Sequence, residues 1–190
     1  VTPDMNASIV EHVVSKWGEP TRRAEFHGMG NHISILKWSA EQTDEGVALY
    51  LTIGGSRRLI DAGNRRRFEF LLGIVPEEDN VAQSLAMLAG ALLSGINLDK
   101  GHTLSLAENL WDGSGFSGYL ILPDIDPIID QFLLDDGSHV EFLPVMPVYR
   151  SEIELKGERS GEWLLDAFER HEVPWWDPGR AALEIATGSR

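Results

Sequence analysis

The sequence predicts an α/β fold of the α+β kind: a central mixed, largely antiparallel sheet with helices packed on it. Three observations predict it. Apolar residues recur at helical spacing near the N-terminus and again after Asn80. Between and beyond these stretches they alternate with period two, as strands require. The resulting order is helix, several strands, helix, several strands, helices. Strands grouped in this way do not make a strict βαβ wheel.

Each element has its own signal. Ile9, Val10, Val13, Val14 and Trp17 share one helical face, and Gly18 before Glu19-Pro20 stops that helix. Ile33 to Trp38 reads as a strand. Val47, Leu49, Leu51 and Ile53 alternate with Ala48, Tyr50 and Thr52 in a second, closed by Gly54-Gly55. Phe68, Phe70 and Leu72 mark a third. Glu77, Glu78 and Asp79 suit the positive end of a helix dipole. Val81, Leu85, Leu88 and Leu92 then form an apolar stripe with Met87 and Leu93 beside it, and Gly95 fits a C′ position. Three short strands follow, His102 to Leu106, Tyr119 to Leu122 and His139 to Val145, the last after an Asp136-Gly137 turn. Ser151 with Glu154, and Ser160 opening the run to His171, predict two short closing helices. No repeat or linker interrupts residues 1–190, so one domain is expected.

Composition removes several function classes. The 190 residues contain no cysteine, which excludes disulfides, thiolate metal sites and cysteine nucleophiles and agrees with a cytoplasmic setting. No apolar run approaches the ~20 residues of a membrane span. Val1 to Asn6 lacks the basic and apolar regions of a signal peptide, although Val1 is an unusual first residue. The net charge of −14 is uneven. Residues 1–75 hold nine Lys/Arg and nine Asp/Glu, whereas residues 76–190 hold seven against 21. Such a field repels nucleic acid and anionic membrane and attracts basic surfaces. Its bland reading is solubility; its sharper reading is a docking face for a basic protein.

Motifs that could carry chemistry are weak. His27 and His32, separated by Gly-Met-Gly-Asn, lack the four-residue spacing of a zincin helix and read as a glycine-rich turn. Gly113-Ser-Gly-Phe-Ser-Gly118 matches neither a phosphate cradle nor a nucleophile elbow and reads as a flexible connection. Asp124, Asp126 and Asp130, with Asp135 and Asp136, form the densest carboxylate cluster, but Pro123, Pro127 and Ile128-Ile129 break a calcium-loop pattern. Arg57-Arg58 and Arg65-Arg66-Arg67 lack interleaved aromatics and read as local ion pairs. No cofactor or metal is expected. Trp175-Trp176 after Pro174 is the oddest feature. In an extended segment both rings cannot enter one core, so either both wrap over the last helix or one is exposed as a partner anchor.

Several stretches together resemble the second half of a suppressor-of-fused (SUFU) domain. They are Gly118-Tyr-Leu-Ile-Leu-Pro-Asp124, Gly137-Ser-His-Val-Glu-Phe-Leu-Pro-Val-Met-Pro-Val-Tyr149, Ser151-Glu-Ile-Glu-Leu-Lys156 and Gly161-Glu-Trp-Leu-Leu165. Asp177 to Arg180 resembles that family's closing Asp-x-x-Arg. Phe68-Glu-Phe-Leu-Leu72 and the helix Val81 to Leu93 fall in the expected order upstream, so the resemblance spans about residues 8–182. It implies an α/β domain without catalytic residues. Animal relatives with an additional C-terminal domain grip an extended peptide of a transcription factor, a property not transferable to a chain of this length. Bacterial single-domain relatives imply an immunity protein that neutralises a toxin. The expected function is therefore a non-enzymatic partner-binding module, most particularly immunity against a basic toxin. The alternatives are a hydrolase using carboxylates between Asp124 and Asp136, and a regulatory adaptor. The expected contact residues are Asp124, Asp126 and Asp130 for charge, Trp175 and Trp176 as apolar anchors, and Tyr149 as a further one.

Overall fold

A computed structural model describes residues 4–28, 30–123 and 127–185. Its seven-strand path runs β1 (Arg22–Gly28), β2 (Asn31–Trp38), β3 (Ala48–Ile53), β4 (Arg66–Ile74), β8 (His139–Tyr149), β6 (Phe116–Ile121), β5 (Thr103–Ser105). The short β7 (Phe132–Leu133) pairs with the start of β8, and a one-turn helix, α2 (Ala40–Thr43), lies between β2 and β3. Every neighbouring pair is antiparallel except β4 with β8, so the sheet is mixed as expected.

Burial on both faces follows from alternation. In β2 and β3, Ile33, Ile35, Ala48 and Tyr50 join one core while Leu36, Trp38, Leu49 and Leu51 join another. The first core is capped by α3 (Val81–Leu93), whose Val81, Leu85, Leu88 and Leu92 are each 0% exposed. Each such burial is worth about 2 kcal/mol. The second core is capped by α1 (Met5–Trp17), which inserts Ile9, Val13 and Trp17 and stops at Gly18, φ 75°. A third core lies under α5 (Gly161–Arg170), where Leu164, Ala167 and Phe168 meet Leu120 of β6, Leu122 just beyond it, and Met146 and Val148 of β8.

Several details differ from the expectations. β1 was not anticipated, because this edge strand is mostly exposed and carries only Ala24 and Phe26 as half-buried apolar residues. Phe116 to Gly118 is not a flexible connection but the start of β6. A Cβ on Gly118 would lie 2.5 Å from the Leu104 carbonyl oxygen, so the glycine permits close strand packing. Glu77 and Asp79 precede α3 rather than enter its first turn. Both bind the buried Lys37 ammonium at 2.6 Å, and Asp79 also accepts from the Tyr50 hydroxyl. Helix α4 (Arg150–Glu158) is capped two residues earlier than Ser151–Glu154 suggests, at Tyr149, whose N–H donates to Glu152 at 2.9 Å.

The arginine runs do form ion pairs. Arg66 bridges Asp99 and Glu141, Arg65 and Arg67 both reach Asp136, and Arg58 donates to the Leu92 and Ile96 carbonyls at the end of α3. Burial raises the pKa values of Asp99 and Glu141, but hydrogen bonds and charge from Arg66 outweigh it and leave both below the usual range. Two Ser138 hydrogen bonds, then Arg67, bring Asp136 down to about 2. These carboxylates contribute stability above their unfolded values of 3.8 and 4.5 and lose it as pH falls through the folded ones. Glu69 has the opposite sign. Burial raises it above 4.5, against hydrogen bonds that lower it, so its contribution is full below 4.5 and declines as pH rises through its folded value. The melting temperature is therefore expected to be highest near about pH 5 and to fall steeply between about pH 4 and pH 2. Calorimetry across that range checks this; an acid limb beginning above about pH 6 contradicts it.

Candidate functional site

Beyond α5 the chain doubles back through a series of turns. Val173 N–H returns to Phe168 O, Asp177 N–H to Pro174 O, and Arg180 N–H to Asp177 O. The segment is anchored from below by a buried ion pair. Arg180 donates to Glu152 Oε1 at 2.6 Å and Oε2 at 2.8 Å, and to the Pro147 carbonyl at 3.0 Å; both side chains are at most 1% exposed. The guanidinium also lies over the rings of Phe116, Tyr149 and Phe168. Glu152 completes its set by accepting the N–H groups of Tyr149 and Leu183. The Glu-x-Glu-Leu and Asp-x-x-Arg motifs thus meet in space and hold the terminal segment to the β8–α4 corner.

This anchoring places the tryptophan pair. Trp175 is half-buried against the α5 core, whereas Trp176 remains 41% exposed, with the two rings edge to face at 5.6 Å. The Trp176 carbonyl accepts the Val75 N–H at 3.0 Å, tying the pair to the end of β4. The result is an apolar cleft of about 370 Å³ between the α1 core and the terminal segment. Its floor contains Leu49 and Leu71, and its mouth exposes Val75 and Trp176. Gly73 keeps it open at one side, since a Cβ there would meet Val47 Cγ2 at 2.9 Å. A glycine inside an otherwise apolar strand was the available signal for that close approach. Val75 had no such signal.

The other expected contact residues are dispersed. Asp130 is exposed and lines a neighbouring cleft that shares Pro144 with the first; its carbonyl accepts from His12 Nε2 at 3.0 Å. Tyr149 does not reach the tryptophan cleft. Its ring packs on Phe116 at 4.6 Å and its hydroxyl donates to the Arg180 carbonyl, so it serves the terminal anchor. Asp136 is engaged by Ser138, Arg65 and Arg67 rather than free in a solvated connection. Asp124 and Asp126 lie outside the described residues. His27 and His32 face each other across the β1–β2 hairpin with stacked rings, and His32 contacts Glu25. Among the described residues no group of three or more His, Asp or Glu side chains is arranged to hold a metal. No helix there is long and apolar enough to cross a membrane.

A mixed sheet covered by helices on both faces, with its C-terminal segment locked by a buried Arg–Glu pair, defines a suppressor-of-fused-like α/β domain. The profile of the suppressor of fused protein (SUFU) family matches residues 30–181, and the chain belongs to that family. It is a family of regulatory, protein-binding proteins not known as enzymes. Three solved structures share the fold. A SUFU homologue from Neisseria gonorrhoeae is 20% identical, with TM-score 0.68 and coverage of 95% of this chain and 98% of that one. The chain in the Sufu–Fu complex is 16% identical, with TM-score 0.68 and coverage of 95% and 92%. Drosophila Suppressor of Fused is 16% identical, with TM-score 0.66; 91% of this chain aligns to 49% of that one, so this chain spans about half its length. No curated protein matches the sequence.

Proposed function

We propose that this domain is a non-enzymatic protein-binding module, and more specifically an immunity protein that neutralises a basic toxin. The observation that carries the binding reading is the exposed Trp176 at the mouth of an apolar cleft, beside Val75. A large exposed ring next to a hole, on a backbone hydrogen-bonded to Val75, is the form that binding hot spots take. A relative whose solved structure is the Sufu–Fu complex supports a protein as the ligand. The toxin reading rests on charge: residues 76–190 hold the whole excess of Asp/Glu, and an acidic face raises the association rate of a basic partner. The binding reading is preferred to the hydrolase alternative because Asp136 is taken up by Arg65, Arg67 and Ser138, while Asp130 lines a cleft that does not include it.

The test is surface plasmon resonance against the product of the gene adjoining this one, at two salt concentrations. Trp176→Ala is expected to weaken binding by about 2 kcal/mol, roughly 30-fold, mainly through a faster off-rate. Neutralising Asp124, Asp126 and Asp130 together is expected to lower the on-rate, as is added salt, whose screening length is about 8 Å at physiological strength. An off-rate unmoved by Trp176→Ala removes the cleft from the interface. An on-rate indifferent to salt and to the triple substitution removes electrostatic docking, and with it the main support for a basic toxin.

A further inference from the structure

A second recess lies on the other side of the sheet, along the outer face of α3. Two adjoining clefts of about 520 and 330 Å³ share Gln83, Met87, Leu106 and Ala107 as walls. Together they follow α3 from Asn80 to Ser94. Met87, 51% exposed, stands at the centre, and Ile96, 45% exposed, closes one end. These are two of the five exposed large hydrophobics among the described residues; Val75 and Trp176 of the first cleft are two others.

The shape suits a rod. The 13 residues of α3 extend about 20 Å at ~1.5 Å each, the length of a three- to four-turn helix. Gly90 and Ala91 present almost no side chain to the groove, and a Cβ on Gly90 would touch nothing within 4 Å. A second helix axis can therefore approach to the short end of the usual ~8–10 Å packing distance. Of the two edge strands that border it, β5 is only three residues long and gives an extended peptide little to hold, while β1 contributes Phe26, His27 and Gly28 to the wall. Charge selects the occupant further. The two clefts are lined by Glu108 and Asp112 and by no Lys or Arg. A second copy would set one net charge of −14 against another.

We infer that this groove binds a basic amphipathic helix of a partner protein, its apolar face on Met87 and Ile96 and its cations toward Glu108 and Asp112. This rests on the reading of the domain as a protein-binding module. Methionine suits such a surface because its unbranched thioether adapts to different side chains.

The experiment uses the full chain with methyl-labelled methionine and isoleucine, followed by NMR. The probes are two synthetic helical peptides of about 16 residues, both with one leucine face, one with lysine and one with glutamate elsewhere. The basic peptide is expected to shift the Met87 and Ile96 methyls and to bind at least about tenfold tighter than the acidic one. Gly90→Leu fills the groove at a position with free space and should weaken it about tenfold, with an unchanged or raised unfolding midpoint. E108Q/D112N should shrink the preference for the basic peptide to below about threefold. Equal binding of both peptides, or shifts confined to the tryptophan cleft, overturns the inference. So does self-association in sedimentation that Gly90→Leu abolishes, since the occupant is then a second copy. If the natural partner tolerates Gly90→Leu but not Trp176→Ala, the protein-binding function stands and the helix groove falls.

Discussion

Replacing Arg180 by Met should destabilise the domain by about 3–5 kcal/mol, the cost of leaving the Glu152 carboxylate buried without its cation. The substitution keeps an apolar chain over Phe116, Tyr149 and Phe168, so lost packing is a minor part of the effect. The damage should be concentrated in the terminal segment. Amide exchange from His171 to Ile185 should accelerate, and tryptophan emission should change as Trp175 and Trp176 lose their seat. Adding Glu152→Leu removes the unpaired charge, so the double variant should lose about 2 kcal/mol less than the sum of the singles. Chemical unfolding of all four proteins measures this. Strict additivity would show that the two side chains act separately, and the ion pair would no longer explain why the tryptophan cleft exists.

Glu69→Ala should cost a similar amount, about 3–5 kcal/mol, for a different reason. Glu69 is wholly buried and has no cation among its hydrogen-bond partners. Its two oxygens instead accept from Thr52 Oγ1, Ser56 Oγ and the backbone N–H groups of Gly54, Gly55 and Ser56. The side chain is the internal acceptor that allows the chain to turn at the end of β3 without orphaned donors. Alanine leaves three backbone N–H groups unsatisfied and a cavity beside them. Glu69→Gln retains the shape and one acceptor oxygen, so it should recover about half of the loss. Its deficit relative to the parent should widen as pH falls through the raised Glu69 value, because the parent carboxyl takes up a proton and gains stability that a non-titrating amide does not. Thermal melts of both variants at two pH values test this; an alanine variant within about 1 kcal/mol of the parent sinks the assignment.

Periodicity located α1, α3 and most strands, because an apolar stripe of the right spacing has one stable outcome once it leaves water, and the Ser160 cap located α5. The Val81, Leu85, Leu88, Leu92 stripe is fully buried, and the family followed from the order of weak motifs around it. The arginine runs were legible as ion pairs because a neutral half-chain supplies no field for nucleic acid. Other features depend on pairs distant in sequence. β1 is an edge strand, and half-exposed edges carry little apolar pattern. The role of Glu69 emerges only when β4 lies beside the β3 turn, and that of Arg180 only when the tail returns to Glu152. Trp175-Trp176 was visible as an anomaly, but which ring stays exposed depended on the Val75–Trp176 hydrogen bond between segments a hundred residues apart. Local spacing governs whether a residue can be buried against its own element's neighbours. Which polar groups meet, and where an apolar surface is left uncovered, is set by long-range packing that no local pattern encodes.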